Sequence, residues 1–450
     1  MKKFSFLVIT ILFFACNKSG TTPAPPVSTD PAQYGTPFAN VPASADAIIY
    51  QVNIRPFSVA GDLKGVTARL DSIKSLGANV VYLMPIHPVG IFRGINSPYC
   101  IRDYKAVAAE FGTLDDLRAL VDGAHSRNMA VMMDWVANHT SWDHAWTSNK
   151  SWYQLDGAGN ITNPPGYNDV AQLNFSNADM RKAMIDAMRY WVFAANVDGF
   201  RCDFADHVPF DFWTQANASL KSITTHKLLL FAEGARDDHF NAGFQWKFGF
   251  RFYDVLKETY GQNKSATGIN ALNASEFTSS NAESQVVRYT TNHDVNGSDG
   301  TPMDLFGGKA GSMSAFVVAS MMKGIPMVYS GQEVGTPFRI PFPFTTTKIN
   351  WSLNPDVTAE YKRILAFRKS SAAIRGGQLQ AYSSDDVCAF TKEKDGEKVL
   401  VIANARNRVA DFIIPAALDN STWTNEINGG SVTLTTKVTL QPYAYMILKK

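Results

Sequence analysis

The sequence predicts an α/β fold, a parallel eight-stranded barrel followed by a small all-β domain, on three observations. Short apolar runs alternate with segments of helical periodicity from Ala47 onward, the signature of a parallel sheet with crossover helices. Eight such runs suggest a closed barrel, although an open doubly wound sheet meets the same periodicity. Beyond about Gly377 the pattern changes to strand candidates separated by turn signals. The 450 residues accommodate this arrangement, because a barrel uses roughly 250 residues as one unit.

From the N-terminus, Lys2 and Lys3 precede an apolar run from Phe4 to Ala15 that ends at Cys16. This layout predicts a cleaved signal peptide over residues 1–15 and a lipid-modified cysteine, with an ordinary cleaved signal as the alternative. The run is too short to span a bilayer, which takes roughly 20 apolar residues. Residues 16–42 hold Pro23, Pro25, Pro26, Pro31 and Pro37 among Ser, Thr and Gly, so they are expected to resist packing and to tether the folded part to the cell envelope, at the outer membrane on its periplasmic or surface side. The barrel is expected over residues 43–376, with strands at 48–54, 79–84, 130–135, 197–203, 228–232, 248–252, 285–290 and 326–329. Helical spacing marks Leu63, Val66, Leu70 and Ile73, and the segments 114–128, 180–195 and 360–369. In the tail, residues 377–450, strand candidates at 387–391, 399–404 and 443–448 are punctuated by Asp395-Gly396 and Asn428-Gly429-Gly430.

With 45% hydrophobic and 18% charged residues the chain is globular, neither disordered nor multi-spanning. Removal of Lys2 and Lys3 with the signal leaves basic and acidic side chains in balance, which argues against a nucleic-acid partner. Cys100, Cys202 and Cys388 are widely spaced and predict neither a disulfide framework nor a zinc site; Cys202, within an apolar strand, reads as a small buried hydrophobe.

Functional side chains of a parallel barrel project from the C-terminal ends of its strands. Those ends carry DWVANH from Asp134 to His139, GFRCDFADH around Asp203, LLLFAEG ending at Glu233 and Gly234, and TTNHD ending at Asp294. A single carboxylate beside a strand usually caps a helix or sits in a solvated turn. Several at strand ends suit a reaction that uses carboxyls in pairs. Breaking an acetal between sugars takes one carboxylic acid to protonate the leaving oxygen and one carboxylate to attack or to activate water. Arg201, two residues before Asp203, points to the same side of its strand and can hold Asp203 ionised.

In this order, at the ends of the third, fourth, fifth and seventh strands, the four motifs resemble the α-amylase family of glycoside hydrolases (family 13). YLMPIHPVG with Pro85 and His87, SPYCIRDY with Tyr99, GIPMVYSGQE, and INWSLNPD with Trp351 agree, and the resemblance runs from about Ala47 to the C-terminus. It implies a (β/α)8 TIM barrel with a short excursion after the third strand, about 140–174, and a C-terminal antiparallel β-sandwich. It implies Asp203 as the nucleophile of a retaining reaction through a covalent glycosyl-enzyme and Asp294 as a third essential carboxylate that grips sugar hydroxyls. Glu233 would be the general acid/base, kept protonated by apolar surroundings and nearby negative charge. Tyr99 is expected to stack on the ring being cleaved and His139 and His293 to hydrogen-bond it, with Arg201, Asp206 and His207 completing the substrate contacts.

The activity so implied is hydrolysis of α-1,4 bonds in starch-like glucans or maltooligosaccharides, by a monomer that needs no organic cofactor, binds no nucleic acid and meets the membrane only through its lipid. A neopullulanase-like or maltogenic hydrolase and an α-glucan transglycosylase share the covalent intermediate and stand as alternatives. A non-catalytic glucan-binding lipoprotein is an alternative of another class; it predicts loss of a carboxylate, and none is lost.

The chain also departs from the family pattern. Asn138 and the main chain at His207 resemble two ligands of the family's calcium ion, which takes about six to eight oxygens, carboxylates among them. Where many relatives have Asp in a PDLN-like stretch, this chain reads VAQLN with Gln172, which weakens the site unless Asp169 compensates. Asp206 stands where many starch-degrading relatives have a lysine that touches the sugar beyond the cleavage point. Trp142, Trp146, Trp152 and Tyr153 in the excursion either stack on glucan rings or form a small core of their own.

Overall fold

The computed structural model describes residues 30–450; the expected signal, Cys16 and the first part of the tether lie outside them. Eight strands form the barrel: β1 (Ile49–Val52), β2 (Val80–Leu83), β3 (Ala130–Trp135), β4 (Gly199–Cys202), β5 (Leu229–Ala232), β6 (Trp246–Phe248), β7 (Gln285–Arg288) and β8 (Ile325–Tyr329). All neighbours run parallel, and Ile49 of β1 lies opposite both Val80 of β2 and Met327 of β8, so the sheet is closed and the open arrangement is excluded. Barrel strands are covered on both faces and therefore read as continuous apolar runs. Accordingly VVYL of β2, LLFA of β5 and IPMVY of β8 are buried at every position.

Between the strands, helices bury one stripe each. In α1 (Leu114–Ser126) the buried stripe is Leu117, Leu120, Val121 and Ala124, and a capping box starts the helix: Thr113 accepts from the Asp116 amide while Asp116 accepts from the Thr113 amide. In α2 (Ala178–Ala195) Asn177 caps the first turn, and Asn196, at φ 58°, ends the helix in the left-handed region.

The sixth strand differs from the expected 248–252. It occupies Trp246–Phe248, and residues 250–252 open helix α3 (Phe250–Gly261). The aromatic run around Gly249 satisfies either period, and packing decides. The Gly249 N–H bonds the Val287 carbonyl at 3.0 Å, and a Cβ there would stand 3.0 Å from Val286, Val287 and Arg288. Beyond the glycine, Phe252, Tyr253, Leu256 and Tyr260 bury at helical spacing.

Residues 30–42 are docked, a correction to the expected tether. Asp30 pairs with Arg189 at 2.5 Å, Tyr34 Oη donates to Asp122 at 2.7 Å and Phe38 stacks on His125 with ring centres 4.4 Å apart. Proline content signalled resistance to packing, but Tyr34, Phe38 and Val41 supply apolar groups to bury. Asn196 and Asn128, which precede β4 and β3, hold Thr36 and Asn40, so the segment crosses the barrel end opposite the strand-end carboxylates.

After β3 the excursion forms a two-stranded antiparallel pair, His139–Ser141 with Val170–Gln172. Trp146 packs between Tyr104 (5.2 Å) and Trp152 (5.3 Å), and Tyr153 is buried with its hydroxyl on Thr140, so these side chains build the excursion's own core. From Gln378 the chain makes a six-stranded and a two-stranded antiparallel sheet that enclose Val387, Leu400, Ile402, Phe412 and Leu440. Buried Arg406 joins this β domain to the barrel by donating to the Thr259 and Lys264 carbonyls, both at 2.7 Å.

Candidate active site

A cleft of about 950 Å³ opens over the C-terminal strand ends, lined among others by Tyr99, His139, Asp203, Glu233, His293 and Asp294. Asp203 follows β4 and Glu233 follows β5, adjacent parallel strands in which Cys202 lies opposite Ala232. Asp294 and His293 open the helix after β7, which Asn292 caps by accepting from the amides of Asp294 and Val295.

Beneath the cleft lies Arg201, with no exposed surface. Its Nη1 donates to Asp134 at 2.6 Å and to Asp203 at 2.9 Å. Its Nη2 stands 2.5 Å from Glu233 Oε1, a contact of charge rather than a directed hydrogen bond. Arg201 thus shares a side with Asp203, as the strand period predicts, and its guanidinium serves three carboxylates. Asp134 is the partner that sequence reasoning left without a role. It sits opposite Arg201 in the β3–β4 register and accepts from the hydroxyls of Tyr82 at 2.6 Å and Tyr99 at 3.1 Å.

The surroundings of Glu233 are not the apolar pocket that was expected. Besides Arg201 at Oε1, its Oε2 accepts the Phe204 main-chain amide at 2.7 Å. Phe204 can aim that amide because it adopts the left-handed conformation, φ 49° and ψ 37°, which no sequence signal announced. Asp203 is the more enclosed carboxyl. Burial first, and then the negative charge of Glu233, push it well above the usual carboxylate range against the pull of Arg201.

His293 links the site's far wall. Gln51 Nε2 lies 2.8 Å from its Nδ1 and the Tyr99 hydroxyl 2.6 Å from its Nε2. Burial, aided by Arg201, brings His293 down to about 4, so the ring is neutral near pH 7. His139 is also brought to about 4 by burial and lies on the Tyr99 carbonyl at 3.3 Å. His207 lines the cleft and stacks face to face on Phe204, ring centres 3.6 Å apart. Asp206 lines the cleft, and its carboxylate oxygens also accept donors from the turn after Glu233.

At Asn138, one of the residues expected to hold calcium, the neighbouring side chain presents a donor where a cation needs an oxygen. Gln172 Nε2 donates to the Asn138 main-chain oxygen at 3.0 Å and to Asn138 Oδ1 at 3.1 Å. The orientation of this amide is fixed, because a main-chain carbonyl only accepts. An N–H donor thus points at the oxygens that would ligate a metal. Asp169 lines the cleft instead, and among the described residues no three His, Cys, Asp or Glu side chains gather to hold a metal.

A family model for the alpha-amylase catalytic domain matches residues 20–157 and 165–356. The chain belongs to this family. Alpha-amylase 3 of Dictyoglomus thermophilum is 25% identical over 91% of this chain and 94% of its own length. A cyclomaltodextrinase of Geobacillus thermopakistaniensis is 25% identical over 86% of this chain and 70% of its own. The crystal structure of an alpha-amylase from Lactobacillus plantarum matches with a TM-score of 0.81 at 27% identity, over 90% of this chain and 99% of that one. This alpha-amylase-family member is a glycoside hydrolase, and its three strand-end carboxylates meet in one cleft.

Proposed function

We propose that the hydrolase cleaves α-1,4-glucosidic bonds of starch-like glucans or maltooligosaccharides with retention of configuration. The observation that carries this reading is the single guanidinium between Asp203 and Glu233. A guanidinium that touches both carboxyls keeps them close together, as a retaining pair requires, whereas an inverting pair stands roughly 6.5–9.5 Å apart to admit a water.

In the first step Asp203 attacks the anomeric carbon, and the leaving glycosidic oxygen takes a proton from Glu233. In the second, water attacks the same carbon, gives its proton to Glu233 and frees Asp203. Arg201 stabilises the carboxylate form of Asp203 between attacks. Asp294, 59% exposed and 3.3 Å from His293 Nε2, faces the cleft as a grip for sugar hydroxyls.

Relatives named alpha-amylase and cyclomaltodextrinase support an α-glucan substrate, and the latter name favours a neopullulanase-like or maltogenic enzyme as the second reading. Incubation of the soluble protein with starch, maltoheptaose, pullulan and cyclodextrins, with products resolved over time, separates the two. Turnover of starch and maltoheptaose is expected, and inertness toward every α-glucan would overturn both.

Two further proposals concern the surroundings of the enzyme. The chain is exported and anchored through a lipid on Cys16; docking of residues 30–42 at the barrel end opposite the cleft supports an anchor that leaves the cleft facing away from the membrane. At the excursion, the Gln172 amide takes the place of a calcium ion.

A further inference from the structure

Asp206 turns its carboxylate to the protein. Oδ2 accepts the Ala235 amide at 2.9 Å, while Oδ1 accepts the Arg236 amide at 3.2 Å and Nε2 of the fully buried His239 at 2.6 Å. All three donors lie on the turn that follows Glu233. From that turn Arg236 Nη1 reaches back to the main-chain oxygens of Asp206 at 2.9 Å and Val208 at 3.1 Å. Gly234 leaves the room required: a Cβ there would stand 2.3 Å from both Asp206 Oδ1 and His239 Nε2. Two more bonds unite the same turns, from the Ala205 amide to the Glu233 carbonyl at 2.9 Å and from the Phe204 amide to Glu233 Oε2 at 2.7 Å.

We infer that Asp206 is a positioning residue for Glu233, its carboxylate clamping the 233–239 turn against the 204–208 turn and so setting where the acid/base carboxyl stands. The inference rests on the acid/base role proposed above for Glu233. A side chain at a strand end goes where its main chain goes, and a displacement of about 1 Å at the reacting groups costs roughly 100-fold in rate. A carboxylate offers about four acceptor positions, and three donors of the turn after Glu233 take most of those of Asp206. Burial, which would raise the Asp206 pKa, is outweighed by His239 and the two amides, and the carboxyl sits at about 2, an anion throughout the neutral range.

The test uses leaving groups. Maltoheptaose needs a proton on its leaving oxygen, whereas α-maltosyl fluoride loses fluoride unaided, and azide attacks the glycosyl-enzyme without a base. For Asp206→Ala we expect kcat on maltoheptaose to fall roughly 10- to 100-fold. With α-maltosyl fluoride plus azide, turnover should stay within about twofold of the wild type, by analogy with loss of acid/base assistance alone. That retained turnover also reports a folded site. Asp206→Asn, which keeps an acceptor oxygen, should show the same split with a smaller loss and serves if the alanine variant does not fold. An equal fall on both substrates would overturn the positioning role in favour of general disruption. A raised KM for maltoheptaose with unchanged kcat would overturn it in favour of direct sugar contact. Wild-type protein inert toward both substrates would instead refute the hydrolytic reading of the site.

Discussion

At the residue scale, the charge of Arg201 is what allows Asp134, Asp203 and Glu233 to crowd around one buried guanidinium at the floor of the cleft. Removing one partner of such a buried cluster leaves the others uncompensated. For the nucleophile, an isosteric change avoids this while abolishing the attack. Asp203→Asn should therefore reduce kcat by at least about a thousandfold, with an unchanged circular dichroism spectrum; substantial residual turnover would show that another group attacks the sugar. The candidacy of Asp203, Glu233 and Asp294 was legible because each stands at a strand end within a motif. Asp134 stands in a motif too, but its role depends on lying opposite Arg201 across two strands, a register that no local pattern encodes. The charge of Asp206 was equally plain, yet its direction depends on where the turn after β5 presents its amides.

At the scale of elements, the excursion is where we propose that one side chain stands in for an ion. Gln172 joins the second strand of the excursion to the loop after β3 through donors aimed at Asn138 oxygens, a link that needs no charge. A metal chelator should leave the melting midpoint unchanged. Gln172→Asp, which exchanges the donor for a carboxylate, should make the midpoint rise with added calcium. A chelator-induced drop in the unaltered protein would refute the amide's role. The tryptophans of this element were visible in the sequence, but aromatic content cannot distinguish a sugar platform from a core; the mutual packing of Trp146, Trp152 and Tyr104 decides for the core. The sixth strand failed for a similar reason, since a short apolar run fits a strand or a buried helix until Gly249 meets β7.

For the whole molecule, burial sets an acid limit. His87, His139, His144 and His293 are each brought to about 4, mainly by burial, whereas an unfolded chain protonates histidine near 6.5. Between these values the unfolded state binds more protons, so stability falls as pH drops through the window and is insensitive to these groups above it. Each histidine contributes a slope of up to about 1.4 kcal/mol per pH unit. The urea midpoint should decline steadily from pH 7 to pH 5, and a flat profile would contradict the buried neutral histidines. Attachment belongs to the same scale: Cys16→Ala should move the protein from the membrane fraction to the soluble one, and an unchanged distribution would rule out the lipid anchor.

What the sequence determined by itself is whatever depends on local period and on single positions. Alternating apolar runs specified a parallel sheet with crossover helices, the turn-rich tail specified the β domain from about Gly377, and the strand-end motifs, through their family resemblance, singled out three carboxylates. What only the tertiary structure decided are relations between distant segments. The closure of β1 onto β8, the sharing of Arg201, the clamp of Asp206 on the Glu233 turn and the docking of residues 30–42 all arise from packing. The physical reason is that a hydrogen-bond donor or a charge is a property of one residue, whereas its partner is chosen by the packing of the whole chain.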